Sequence, residues 1–214
     1  VLRRKCLDIE NEIRGSLKIF GLKVGRVTKL SFERRVRALI DSDPRLQAAV
    51  VPMLRARSAL FEEFNRLHRQ VLDAVRHDQV CRRLMTTPGV GPITALAFKT
   101  AVETPERFAK SKTVGAHFGL TPRQYSSGQI DYQGRISKCG DALVRTTLYE
   151  AASVLLTRVK RPSALKAWGL RIAKRAGAKR ARVALARKIA VILHRMWLSG
   201  SDFEWDASRR LNPA

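Results

Sequence analysis

The sequence predicts an all-α protein. Apolar residues recur at steps of three and four near the start of the chain, a 4-3 alternation runs from about residue 45 to 77, and shorter helical patterns follow to about 198. Only residues 121–136 read otherwise, as a loop or weak hairpin. The expected architecture is a helical, coiled-coil arm over 1–78, a compact helical domain containing a helix-hairpin-helix over 79–200, and a tail over 201–214.

Leu2, Cys6, Ile9, Ile13, Leu17 and Phe20 mark one apolar face of a first helix, which Gly21 and Gly25 end before a basic loop. A shorter helix over about 31–41 precedes Asp43-Pro44, where Asp43 suits a cap and Pro44 the first helical position. Then comes the long element, with Leu46, Val50, Met53, Leu60, Phe64, Leu67, Val71 and Ala74 on one seam, broken at Arg57. Pro52 predicts a kink there or the helix's true start. Such a seam serves either an antiparallel arm that self-associates, the reading we favour, or a hairpin within the chain. Further helices are expected near 79–84, 92–102, 111–117, 139–160, 163–176 and 179–198. Tyr125, Ile130 and Tyr132 lie in the loop-or-hairpin segment.

Lys and Arg number 42 against 18 Asp and Glu, a net charge of +24, which demands a polyanionic partner. A hydrophobic content of 45% excludes a disordered basic tail. Cys6, Cys81 and Cys139 are scattered without a CxxC pair, and His68, His77, His117 and His194 are equally dispersed. That pattern gives no zinc signature and no other metal site is expected, and it fits a reducing cytoplasm. No run is apolar enough to cross a bilayer, so no membrane partner is expected. The chain opens at Val1 in a helical pattern and reads as part of something longer.

Pro88-Gly89-Val90-Gly91-Pro92, followed by Ile93, Thr94, Ala95, Leu96 and Ala97, has the residue types of a helix-hairpin-helix. Gly89 and Gly91 would let a phosphate approach the bare backbone, and Val90 would point inward and pin the turn. The next helix would offer its free N–H groups and positive dipole end to the anion. Ile93, Leu96 and Ala97 are expected in the core. The same residues also suit a plain turn between helices.

Ser126 and Ser127 precede Gly128, flanked by Arg123, Arg135 and Lys138. Serine attacks phosphorus only when its proton is removed and the developing charge is neutralised, which guanidinium forks do well. Taken alone, Ser-Ser-Gly is also an ordinary turn. From Ala151 to Ser201 there is no acid, yet Arg171, Lys174, Arg175, Lys179, Arg180, Arg182, Arg187 and Lys188 all fall there. Leu185, Ile189, Ile192, Leu193 and Met196 would pack the last helix on a core and leave Arg175, Lys179 and Arg182 to a phosphate backbone. Trp168 is expected to pack.

Five elements stand in a fixed order. They are Pro88 to Gly91, Gly119-Leu120-Thr121-Pro122, Ser127-Gly128, Ile136-Ser137-Lys138-Cys139-Gly140 and Leu143-Val144-Arg145. In this the chain resembles, over about 85–158, the C-terminal domain of insertion-sequence transposases of the IS-one-ten, IS-one-sixteen and IS-nine-oh-two type. Asn11-Glu12-Ile13-Arg14 and the long helix look like that family's linker and coiled coil. The resemblance implies that Ser127, with Ser126 as the alternative, attacks a DNA phosphodiester and forms a phosphoserine link. It also implies action as a homo-oligomer, guided by a bridge RNA. Gly89, Val90, Gly91, Arg123, Arg135, Lys138, Arg145, Arg175, Lys179 and Arg182 are the expected DNA-backbone contacts. Family members carry an N-terminal RNase-H-like domain whose acidic tetrad binds Mg²⁺. Asp8, Glu10 and Glu12, spaced by two on a helix, point different ways, so no cofactor is expected in this chain and its activity alone is expected to be incomplete. The rival readings are a non-catalytic helix-hairpin-helix module on duplex DNA and a structural RNA-binding protein. A tyrosine recombinase lacks its Arg…His-x-x-Arg…Tyr arrangement here.

Overall fold

The computed structural model describes residues 1–127 and 130–205; Gly128 and the end of the tail lie outside the described residues. The fold is mostly α, with nine α-helices and one two-stranded sheet among the described residues. Two compact units divide between Gln70 and Val71, inside a long helix.

The first unit holds α1 (Leu2–Ile19), α2 (Phe32–Ile40) and most of α3 (Pro44–His77). Asp43 caps α3, its Oδ1 accepting from the amides of Arg45 at 2.9 Å and Leu46 at 3.1 Å. The helix therefore starts at Pro44 and runs through Pro52, which is not its beginning. Ile13, Leu17, Phe32, Val36, Ile40, Leu46, Val50 and Leu54 form the core, so the first half of the 4-3 seam is consumed within the unit. The break at Arg57 is a buried ion pair. Only 3% exposed, Arg57 donates from Nε to Glu10 Oε1 at 2.7 Å and from Nη2 to the Lys29 carbonyl at 2.9 Å. Its guanidinium lies over the Phe32 ring at 4.9 Å. A charge so placed locks α1 on α3, because removing either partner strands the other away from water.

The second unit is built around α9 (Ala178–Ser199), whose Ala181, Leu185, Ala186, Ile189, Ala190 and Leu193 are buried. Against it pack α4 (Gln79–Leu84), α6 (Ser111–His117), α7 (Ala142–Thr157) and α8 (Ala164–Ala176), while α5 (Pro92–Val102) lies on α4 and α7. α7 begins three residues later than the sequence pattern suggests because Asp141 caps it, accepting from Val144 N at 2.9 Å. The Ser163 hydroxyl caps α8 in the same way. His194 is buried on α9, hydrogen-bonded through Nδ1 to Ser111 Oγ and through Nε2 to the Pro105 carbonyl, a structural role. Trp168 packs on this core. Residues 121–136 form a true hairpin, β1 (Pro122–Ser127) against β2 (Ile130–Ile136), antiparallel, with an irregularity between Pro122 and Gln124.

Candidate nucleic-acid interface

The glycine turn joins α4 to α5. Asp78 caps α4, accepting from Cys81 N at 2.9 Å, and is paired with the Lys99 ammonium from α5. Burial pushes the Asp78 carboxyl up, but the hydrogen bonds from Lys99 and the Cys81 amide outweigh it and hold the group below its ordinary value. Burial also pushes the Cys81 thiol up to about 11, with the Asp78 charge adding to it. The turn closes through Val90 N to the Thr87 carbonyl at 3.0 Å, with the Val90 side chain buried as expected. Gly91 is the N-cap of α5 with extended backbone, and Pro92 takes the first helical position. Helix geometry leaves the amides of Ile93 and Thr94 without an intrahelical acceptor, at the positive end of the dipole.

The two glycines differ in what they serve. Gly89 has φ +89°, and a Cβ there would come within 2.4 Å of the Ala151 carbonyl oxygen on α7. Its missing side chain makes room for a helix backbone, a structural need. Gly91 has nothing within 4 Å of its Cβ position, so this is where a phosphate could approach. Of the three residues expected in the core, Ala97 is buried, Leu96 packs partly buried against it and Ile93 is 38% exposed; Ala95 and Phe98 are buried as well.

Farther along the chain, two further motif segments lock together backbone to backbone. Gly119, at φ +65°, leaves no space for a Cβ, which would meet Cys139 backbone atoms at 2.4 Å. At Gly140, φ +72°, it would meet the His117 carbonyl oxygen at 2.0 Å. Ser137 N donates to the Thr121 carbonyl at 2.9 Å and Lys138 N to that of Gly119 at 3.1 Å. Arg145 Nη1 donates to the carbonyls of Phe118 at 3.2 Å and Cys139 at 3.0 Å, so this arginine spends part of its fork on the clamp. Arg123 Nη2 reaches the Ser137 carbonyl at 3.1 Å. The clamp holds the base of the β-hairpin and leaves its strands outside the core.

Cross-strand register sorts the hairpin's side chains onto two faces. Gln124 and Ser126 lie on one face, and Asp131 sits opposite Ser126. Asp131 Oδ1 accepts from Ser126 Oγ at 2.8 Å and from Gln124 Nε2 at 3.1 Å. On the other face are Tyr125 and Ser127, with Tyr132 opposite Tyr125 and Ile130 opposite Ser127. Ser126, Ser127, Arg123, Arg135 and Lys138 are all exposed. The structure thus places both serines toward the turn of the hairpin, Arg123 and Arg135 nearer its foot, and Lys138 in the clamp below it. Asp131 and the tyrosine pair were missed from the sequence, because they become neighbours only once the register is fixed.

The acid-free stretch forms α8 and α9. Arg175 and Lys179 are exposed, whereas Arg182 is half-buried, with its Nε buried and unpartnered. Arg171, Lys174, Arg180, Arg187 and Lys188 are exposed as well, a surface of one sign. Among the described residues no three His, Cys, Asp or Glu side chains gather where they could hold a metal ion. Glu10 is committed to Arg57 and Asp8 lies 3.8 Å from Lys5 Nζ, so these acids of α1 do not fit a Mg²⁺ site. No helix among the described residues is long and apolar enough to cross a membrane.

Comparison with known proteins points to one family. Residues 81–169 match the transposase IS116/IS110/IS902 family. The chain is 32% identical over 188 residues to the "Transposase for insertion sequence element IS1111A" of Coxiella burnetii, an alignment covering 86% of the chain and 52% of the relative. It is 33% identical over 189 residues to a "Probable family 20 transposase" of Pseudomonas aeruginosa, covering 86% and 56%. It is 29% identical over 163 residues to the "Transposase for insertion sequence element IS1328" of Yersinia enterocolitica, covering 74% and 48%. The chain spans about half the length of the curated relatives it matches. The matched segment contains the glycine turn, the clamp and the serine hairpin, and the chain belongs to the transposase IS116/IS110/IS902 family.

Proposed function

We propose that this chain is the DNA-gripping, nucleophile-bearing part of a transposase, cutting and rejoining strands through Ser127. The observation that carries the reading is the pair of exposed serines toward the turn of a hairpin whose strands and foot carry Arg123, Arg135 and Lys138. Ser127 Oγ attacks a phosphodiester phosphorus; a serine–phosphate ester forms, the P–O bond to the leaving strand breaks, and that oxygen departs as a hydroxyl carrying the serine proton. Attack by another strand's hydroxyl reverses the chemistry and restores the serine. The cations neutralise charge on the phosphorane oxygens. Ser126 is the alternative nucleophile, and one contact favours it: the Asp131 carboxylate is placed to take its proton. The amides and dipole at the start of α5 and the cations of α8 and α9 grip phosphates without regard to sequence.

Two partners belong to the same proposal. Leu67, 43% exposed, continues the seam of Leu60 and Phe64 on the outer half of α3 and offers a surface for a second copy. A guide RNA would be a further polyanion for the basic helices. Work on chromosomal DNA implies the cytoplasm.

Substitution of each serine in the full-length protein tests the mechanism. Ser127→Ala should abolish strand cleavage and leave DNA affinity nearly unchanged, since one hydroxyl adds little to binding by many charges. Ser126→Ala should be milder. The reverse order would transfer the role to Ser126 and its carboxylate, and full cleavage by both variants would end the serine mechanism.

A further inference from the structure

We propose that Tyr125 and Tyr132 form a stacking platform for an unpaired DNA base next to the phosphate that Ser127 attacks. The inference rests on the DNA reading above and adds a recognition element to it. The two tyrosines sit directly opposite each other, and their rings stack with centroids 5.0 Å apart at 17°. A cross-strand aromatic pair ordinarily helps to hold a hairpin together. Here, however, the two tyrosines remain 44% and 57% exposed, on a sheet of two strands.

Three further observations give that exposure a purpose. Gly134 shares the tyrosine face, and a Cβ there would come within 2.7 Å of Tyr125 Cε2, so the glycine lets the ring settle on the strand beside it. Ser127 lies two residues from Tyr125 on the same face, about 7 Å along the strand, which puts a hydroxyl and an aromatic surface side by side. Asp131 is the only acid between Pro122 and Lys138, and it is turned to the other face by its bonds to Ser126 and Gln124. The aromatic face is thereby kept free of the charge that would repel a phosphate. Every base has a π-face, so stacking tolerates any sequence, as the amide grip does. A base displaced from its duplex stack would also open the neighbouring phosphate to the serine.

Binding of this chain to short single-stranded DNA tests the platform. One strand carries its bases, with a central 2-aminopurine, and the other is abasic at the central positions. The base-bearing strand should bind more tightly, by roughly 5- to 150-fold if one stacked base is lost with the abasic sugars, with its 2-aminopurine quenched. Tyr132→Phe should keep that preference and Tyr132→Leu should lose it. A 5-iodouracil strand, irradiated with the unsubstituted chain, should cross-link to Tyr125 or Tyr132, a readout that needs no variant to fold. Equal binding of both strands, or cross-links only outside the hairpin, would overturn the platform and leave the DNA grip standing. Failure of both strands to bind would sink both.

Discussion

Between α4 and α5 the chain turns with Gly89 pressed on the α7 backbone, Val90 buried and Asp78 tied to Lys99. Between α6 and α7 it instead runs out into a hairpin whose β1 residues are all exposed, fixed at its base by Gly119, Gly140 and Arg145. Both segments lie within the stretch that matches the family, yet they use glycine differently. The first turn is part of the core and presents backbone amides at a fixed place. The second is clamped at its foot and presents side chains that change little in the core when altered. In the proposed function, grip falls to a turn built into the core and chemistry to a hairpin outside it, as expected where one must position a polymer and the other must reach it.

The sharpest way to break this comparison is to put side chains on the two glycines of the first turn. Gly89→Val collides with the Ala151 carbonyl and forces a branched residue to positive φ. It should destabilise the second unit by at least ~3 kcal/mol, read as a large fall in thermal midpoint. Gly91→Val meets open space and extended backbone. It should stay within ~1 kcal/mol of the parent with native circular dichroism, and should bind every DNA sequence about fivefold more weakly, the value of one hydrogen bond of ~1 kcal/mol. Equal stability of the two variants would erase the distinction. Undiminished binding by a folded Gly91→Val would reduce the turn to a connection between helices.

A moderate effect is expected on the salt dependence of binding. Replacing Arg175, Lys179 and Arg182 with Gln should lower the slope of log K against log salt by roughly 0.9 for each duplex phosphate that is no longer neutralised. Arg175 and Lys179 should account for most of it, because Arg182 is half-buried. An unchanged slope would show that α8 and α9 face another protein surface.

The smallest effect concerns the cap. Asp78→Ala should cost about 1 kcal/mol at neutral pH. The carboxyl's pKa is depressed in the folded protein, so its stabilisation is complete above the unfolded value near ~4 and disappears as pH falls through the lower folded value. The variant and parent should therefore converge in acid. A gap that persists below that range would mean that the ion pair with Lys99 does not stabilise the turn.

Much of this architecture was legible in the sequence, for reasons that differ by element. The helices were, because spacing of apolar residues and caps such as Asp43 act locally. Ile93 was misplaced because α5 is apolar nearly throughout and gives no clear face. The role of Gly89 was not visible, since what its Cβ would strike lies on α7, far along the chain. The clamp between Gly119 and Cys139 was hidden for the same reason: a motif shows that glycine is present, not which backbone lies against it. Arg57 announced only a break in a seam; its carboxylate partner came from α1. Ser126 and Ser127 were found as candidates, but adjacent residues on a strand face opposite ways, and only the register showed which one meets Asp131 and which one shares a face with the tyrosines.

The central claim is that an exposed hairpin serine becomes joined to DNA. A nicked or phosphorothiolate DNA substrate that cannot be religated should trap the full-length protein as a covalent adduct, and mass spectrometry of the digested adduct should locate the nucleotide. The account predicts attachment at Ser127 Oγ. Attachment at a residue outside the hairpin, or cleaved DNA with no adduct at all, would contradict it.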